Sequence, residues 1–166
     1  MPSPSGVRLA MLFPTHVIAG YLLGYGLRVP AIPAAIGAAL PDLIDKPLAL
    51  LGVVEIYHSV GHSALVLLAL FPVVLLGRAW LAGWLGWASH LVLDVVHVVV
   101  NGRPEDAAFL LWPVVVRDSS LGLGPIEFFF HYLLTPAFFL EIPIWIAFGY
   151  VLWQEYGSSD SRPTDS

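Results

Sequence analysis

Four short segments set imidazoles and carboxylates into an otherwise apolar chain: Thr15-His16, Pro41-Asp42-Leu43-Ile44-Asp45, His58-Ser59-Val60-Gly61-His62-Ser63 and His90-Leu91-Val92-Leu93-Asp94. Imidazole and carboxylate together are the donors that suit zinc, iron and related divalent metals. The chain has no cysteine, which excludes thiolate sites, disulfides and a cysteine nucleophile, so nitrogen and oxygen must hold any metal. His90 and Asp94 are four apart, on one face of a helix. Such a pair chelates one ion, or the Asp orients the His from behind; the plain alternative is an interhelical hydrogen bond. His97 falls near the same stripe and would serve equally at the level of lipid headgroups. His58 and His62 repeat the four-residue spacing. The helical His pairs of zinc proteases share it, although the intervening Glu of that motif is missing here. Gly61 permits a close backbone approach, and Ser63 is placed to cap a following helix.

Asp42 and Asp45, three apart, can both be ligands, or one a ligand and the other a general base. A single Asp after Pro41 would read as a hydrated turn. His16 opens a helix and is the least specific member. His131 and Glu141 are lesser candidates, the first suited to an interface and the second without an evident partner. The predicted metal set is therefore His16, Asp42, Asp45, His58, His62, His90 and Asp94, with Asp45 and Asp94 as carboxylates able to accept a proton. These seven exceed the four ligands of one tetrahedral zinc, so two ions, or one ion and a general base, are both open.

The elements that carry these residues are greasy. Hydrophobic residues make up 58% of the chain and charged residues 11%, with a mean hydropathy of +0.81, against about 25% charged residues in soluble domains. The composition predicts an all-α, polytopic membrane bundle. An ionisable residue at the centre of a membrane helix costs about 2.5–3.5 kcal/mol to insert, so each one there is a functional candidate. The net charge of −5 and the lack of a basic patch exclude nucleic-acid binding. Membrane lipid is the expected partner.

The apolar stretches are 9–27, 29–40, 63–77, 79–100 and 126–153. A span needs about 20 residues, which the first, fourth and fifth supply, whereas the second and third are short, tilted or re-entrant. The prediction is four to five spans in a single domain, 1–156. Breaks fall at Arg28-Val29-Pro30, Pro41-Asp42, Gly77-Arg78 and Asn101-Gly102-Arg103-Pro104. Residues 157–166, rich in Ser, Asp and Pro, form a disordered polar tail. Gly20 and Gly24 make a small-residue pair that lets helices approach. Arg8 before an apolar run is the crude pattern of a cleaved signal, but 9–27 is long for one and contains His16, so it reads as a retained span. Threaded as five spans, the chain brings every His and Asp of the set toward one membrane face. Arg8, Lys46, Arg103 and Arg117 on that side, against Arg28, Arg78 and Arg162 on the other, lean it toward the cytoplasm of a cell (inner or plasma) membrane.

The ordered set Thr15-His16, Leu40-Pro41-Asp42-Leu43-Ile44-Asp45, His58 to Ser63, Ser89-His90-Leu91-Val92-Leu93-Asp94 and Leu110-Leu111-Trp112-Pro113 resembles the predicted inner-membrane metal-dependent hydrolases, some described as LexA-binding. The likeness covers roughly residues 14–115 and lies in the order of the motifs. It implies a divalent metal, zinc first, and a hydrolase akin to zinc-dependent phospholipases C, acting on a phosphodiester or lipid headgroup. The matching positions are His16, Asp42, Asp45, His58, His62, His90 and Asp94. The chain departs from the family where members carry His-Arg-Gly before Thr-His-Ser: Tyr57-His58-Ser59-Val60-Gly61-His62-Ser63 has no Arg to meet a phosphate or carboxylate.

Rival classes use the same cluster. An ion or metal transporter would employ it as a relay or transient site, though no inverted repeat is evident and the acids gather at one face instead of the midplane. A non-catalytic scaffold predicts no metal or a closed structural site. A bis-histidine haem protein is the fourth reading.

Overall fold

The first helix, α1 (Phe13–Leu27), carries a proline in its first turn, where the missing N–H has no helical partner to lose. It ends at Arg28, which adopts a left-handed conformation and donates back to the Gly24 and Tyr25 carbonyls. A computed structural model describes residues 12–54, 58–116, 130 and 132–157. After α1 come α2 (Ala31–Leu50), α3 (Ala64–Ala69), a 3-10 helix (Phe71–Leu76), α4 (Arg78–Val100), a second 3-10 helix (Pro104–Leu111) and α5 (Pro136–Gly157). Among the described residues there is no strand, as an all-α chain requires. Gly77 and Gly102, both at positive φ, mark two of the expected breaks.

Three expectations need correction. Of the four to five spans, only Arg78–Val100 and Pro136–Tyr156 among the described residues are long and apolar enough to cross a membrane. The apolar stretch 63–77 divides instead of crossing: α3 ends at Ala69, and Pro72 in the first turn of the 3-10 helix has no N–H to continue an α-helical ladder. The break at Pro41-Asp42 also does not occur, since α2 runs on through Pro41 and Pro47 to Leu50. Each proline removes one helical hydrogen bond. Against that, Pro41 is fully buried, Lys46 pairs with Asp42 at i,i+4, and Asp45 is anchored from outside the helix. Gly157, expected in the tail, closes α5. His131, Arg8, Arg117 and residues 158–166 lie outside the described residues.

Helices α1, α2 and α4 pack through their smallest residues. Gly20 and Gly24 of α1 face Ala38 and Ala31 of α2, where an added Cβ would lie 2.5 and 2.7 Å from the nearest atom. A Cβ on Gly37 or Gly86 would meet the Gly83 or Ala34 carbonyl oxygen at 1.9 Å. Leu67 of α3 packs with Trp87 and Leu91 of α4 beneath Leu40 and Ile44 of α2. Helix α5 is tied to α1 by Glu141, which is 2% exposed. Its carboxylate accepts from the Leu12 amide at 3.0 Å, the Thr15 hydroxyl at 2.6 Å and the Tyr132 hydroxyl. Glu141 thus has partners that local sequence does not announce.

This packing makes a prediction. In Gly86→Ala the new methyl meets backbone that no rotamer change can move, so α2 and α4 must part. The expected loss lies at or above the top of the usual 1–3 kcal/mol range for overpacking, about 3 kcal/mol. Gly149→Ala, which would meet nothing within 4 Å, is expected to gain up to about 1 kcal/mol from helix propensity. Thermal unfolding in detergent checks both, and equal melting temperatures for the two variants would contradict the described contact.

Candidate metal centre

Three helices and one loop bring the histidines and aspartates together. His16 comes from α1, Asp42 and Asp45 from α2, His58 and His62 from the loop before α3, and His90 and Asp94 from α4. All seven are buried, none more than 8% exposed. His90 and Asp94 share a helical face as their spacing predicts, with His90 Nε2 3.2 Å from Asp94 Oδ2. His62 Nε2 lies 3.1 Å from His90 Nε2 and 3.4 Å from Asp94 Oδ2. Asp42 Oδ1 stands 3.7 Å from His62 Nε2, and His16 Nε2 is 3.3 Å from Asp94 Oδ1 while its ring stacks on His90. His58 packs edge-on to His62 and stacks on Phe109, a residue held by the second 3-10 helix, which an Arg103–Asp106 ion pair opens.

The outer hydrogen bonds fix which nitrogens are bare. His62 Nδ1 is 2.8 Å from Asp45 Oδ2, and His90 Nδ1 is 2.7 Å from the Ala38 carbonyl oxygen. Each acceptor draws the ring proton to Nδ1, leaving a lone pair on Nε2. Two lone pairs therefore face each other at 3.1 Å, beside an Asp94 Oδ2 that has no hydrogen-bond partner. Converging acceptors repel unless something positive lies among them. A proton on one ring satisfies one pair, whereas a cation satisfies all three atoms at once.

The spacing agrees with that chemistry. The triangle of His62 Nε2, His90 Nε2 and Asp94 Oδ2 has edges of 3.1, 3.2 and 3.4 Å. Ligands at ~2.0–2.1 Å from a tetrahedral ion stand about 3.3–3.4 Å apart. The residues fit a small divalent ion. Three overlapping triads, His16–His90–Asp94, Asp42–His62–His90 and His58–His62–Asp94, each bring their ligand atoms within 4.8 Å of one another.

Asp45 is placed differently from the other six. Its carboxylate accepts from the Ser59 amide (2.7 Å), the Ser59 hydroxyl (2.9 Å), the Gly61 amide (2.8 Å), the His62 amide (3.2 Å) and the His62 ring. It holds the loop and sits behind His62, not among the converging atoms. Burial alone would raise its pKa, but the His62 ring and the Gly61 and Ser59 amides outweigh burial and hold the carboxyl below its ordinary value. Ser63 caps α3 as expected, accepting from the Val66 amide, and donates to the Trp112 carbonyl at 2.6 Å. Gly61 runs against the Pro41 backbone, where a Cβ would lie 2.5 Å from the Pro41 carbonyl oxygen, and the Trp87 indole N–H donates to the Gly61 carbonyl at 2.7 Å. His97 is outside the three triads; it stacks on Tyr132 beside Asn101.

Sequence reasoning missed Ser59, Phe109, Lys46 and the Ala38 carbonyl. Only Ser59 carried a signal, as a hydroxyl between the two loop histidines. Comparison of the chain with protein-family models, with curated proteins and with solved structures finds no match.

Proposed function

We propose that the chain is a membrane-embedded, metal-dependent hydrolase, with zinc as the first candidate and a phosphodiester or lipid headgroup as the substrate class. The observation that carries the metal is the triangle of His62, His90 and Asp94 with its ring protons drawn away to Asp45 and Ala38. Its membrane setting is supported by the two span-length helices α4 and α5 and by large apolar side chains exposed along the chain, among them Leu43, Leu75, Trp80, Leu134 and Trp153; such patches mark membrane or partner surfaces.

His62, His90, Asp94 and Asp42 would hold the ion, with His16 and His58 flanking them. A bound divalent ion supplies Lewis-acid polarisation and acidifies water. Asp45 keeps the His62 ring in the ligating tautomer and fixes the loop, which makes it a positioning residue. Asp94 offers two oxygens among three imidazoles and is the carboxylate best placed to take a proton. Burial of the whole cluster excludes bulk water and strengthens each charge interaction.

The same depth of burial favours a second reading, a closed ion that only joins α1, α2 and α4. Metal analysis and turnover separate the two. Protein purified in detergent without chelator is expected to carry about one or two ions per chain, to melt at lower temperature after chelation, and to cleave a generic phosphodiester or ester only when metal is restored. Metal at that ratio with no cleavage of any ester class would leave the structural reading. Absence of metal would remove both.

A further inference from the structure

Lys46 is the chain's one lysine, and it stands at the edge of the cluster. Its ammonium lies 2.7 Å from Asp42 Oδ2, with 48% of the side chain exposed, while the other oxygen of Asp42 faces His62. Asp42 and Lys46 line an open pocket of about 360 Å³ whose remaining walls are Phe13, Leu43, Pro47 and Leu50. The walls are apolar. Outside them the apolar surface continues, with Leu43, Leu50, Leu51 and Val53 between 57% and 77% exposed. One cation beside the metal ligands and a greasy trough leading away describe the two ends of an amphiphile.

We propose that this pocket is the substrate entry of the centre and that it takes a phosphate-bearing lipid, the headgroup phosphate on Lys46 and an acyl chain along Phe13, Leu43, Pro47 and Leu50. The proposal rests on the reading of the cluster as a hydrolytic centre, narrows its substrate to a phosphate-bearing lipid, and adds an entry pocket and a specificity residue. Lysine binds phosphate as a compact point charge with three donors. Its half-exposed position leaves donors available beyond Asp42, and the Asp42 bond aims it at the ligand cluster.

The test is calorimetric titration of full-length, metal-loaded protein in a nonionic detergent at low salt. Three probes separate the possible sources: inorganic phosphate, dihexanoylphosphatidic acid and dihexanoylglycerol. Dihexanoylphosphatidic acid is expected to bind at least tenfold more tightly than either other probe. Lys46→Met is expected to weaken it about tenfold or more, in keeping with loss of one charge-assisted bond, while Lys46→Arg stays within about threefold of the wild type. Leu50→Ser, at an exposed position, is expected to weaken the lipid and leave inorganic phosphate unchanged. If Lys46→Met cannot be purified, the Arg and Ser variants carry the test: no weakening in Leu50→Ser would overturn the lipid trough. Lipid binding unaffected by Lys46→Met overturns the proposal, as does loss of metal together with lipid in that variant, which makes Lys46 a mere support for Asp42. Equal binding of inorganic phosphate and dihexanoylphosphatidic acid overturns the lipid assignment. The metal content of the wild type is read in parallel. Protein without metal that still binds the lipid through Lys46 sinks the metal reading alone; metal-replete protein indifferent to the lipid sinks this one alone.

Discussion

His90→Ala is expected to strip the metal from the protein. His90 belongs to two of the three ligand triads, and its Nε2 is one corner of the 3.1–3.4 Å triangle. Loss of a directly bonded ligand should exceed the 10–100-fold fall in affinity typical of outer-shell partners, so more than about hundredfold is expected. Asp94→Ala is expected to do the same to the metal. The double variant should bind no worse than either single one, because both remove the same ion and their effects do not add. His97→Ala, outside the triads, is expected to keep its metal and lose only packing against Tyr132. Metal per chain, measured by mass spectrometry after exchange into metal-free buffer, decides. A His90→Ala protein that retains the wild-type ratio would show that the ion, if bound, sits elsewhere.

Asp45→Ala is expected to be the most destabilising substitution in the chain. Five donors from Ser59, Gly61 and His62 end on this one carboxylate, and it is fully buried. Removing one side of a buried charge network costs about 3–5 kcal/mol, because the orphaned amides have no water to turn to. Asp45→Asn keeps the shape but turns an NH₂ group toward N–H donors, so an intermediate loss is expected, with metal affinity down about 10–100-fold as the His62 tautomer loosens. The carboxyl's pKa is lowered from its ordinary 3.8 in the fold. Its contribution is therefore complete above about pH 4 and drains away as pH falls through the lower folded value. Chemical denaturation from pH 6 down to pH 2 should show that acid limb in the wild type and a shallower one in Asp45→Asn. Parallel profiles for the two proteins would mean that Asp45 is not the anchor described.

The features that sequence made legible are those written in short intervals. The His90–Asp94 face, the cap at Ser63, the close approach at Gly61 and the Gly20/Gly24 contact all depend on residues within one or two turns. The donor chemistry was equally plain, since His and Asp in a greasy chain have few other uses. Hidden were the features set by distant partners. Glu141 meets Thr15 across 126 positions, and nothing around it announces that bond. Asp42 and Asp45 read as a pair of candidate ligands; only the fold of the loop leaves one facing His62 among the converging side chains and turns the other toward backbone amides. The span count failed for a related reason. Hydropathy sees the apolar run 63–77 but not the proline-led change of helix type within it, and it sees Pro41 as a stop although burial and the Asp45 anchor carry α2 past it.

The contact between α2 and α4 has a consequence for ion choice. At Gly37 and Gly86 the two helices touch backbone to backbone. Such a joint has no rotamers through which to yield. Ala38, which orients His90, is the next residue after Gly37, and His90 itself lies one turn beyond Gly86. The separation of Asp42 on α2 from His90 and Asp94 on α4 is therefore set by a stiff frame, much as a gauge is set by the thickness of its jaws. An ion with ~2.0–2.2 Å bonds enters without moving the frame. A calcium-sized ion, with ~2.3–2.6 Å bonds, would need Asp42 to stand farther from His90, against that frame. Selectivity among cations would then reside in glycines that never touch the ion.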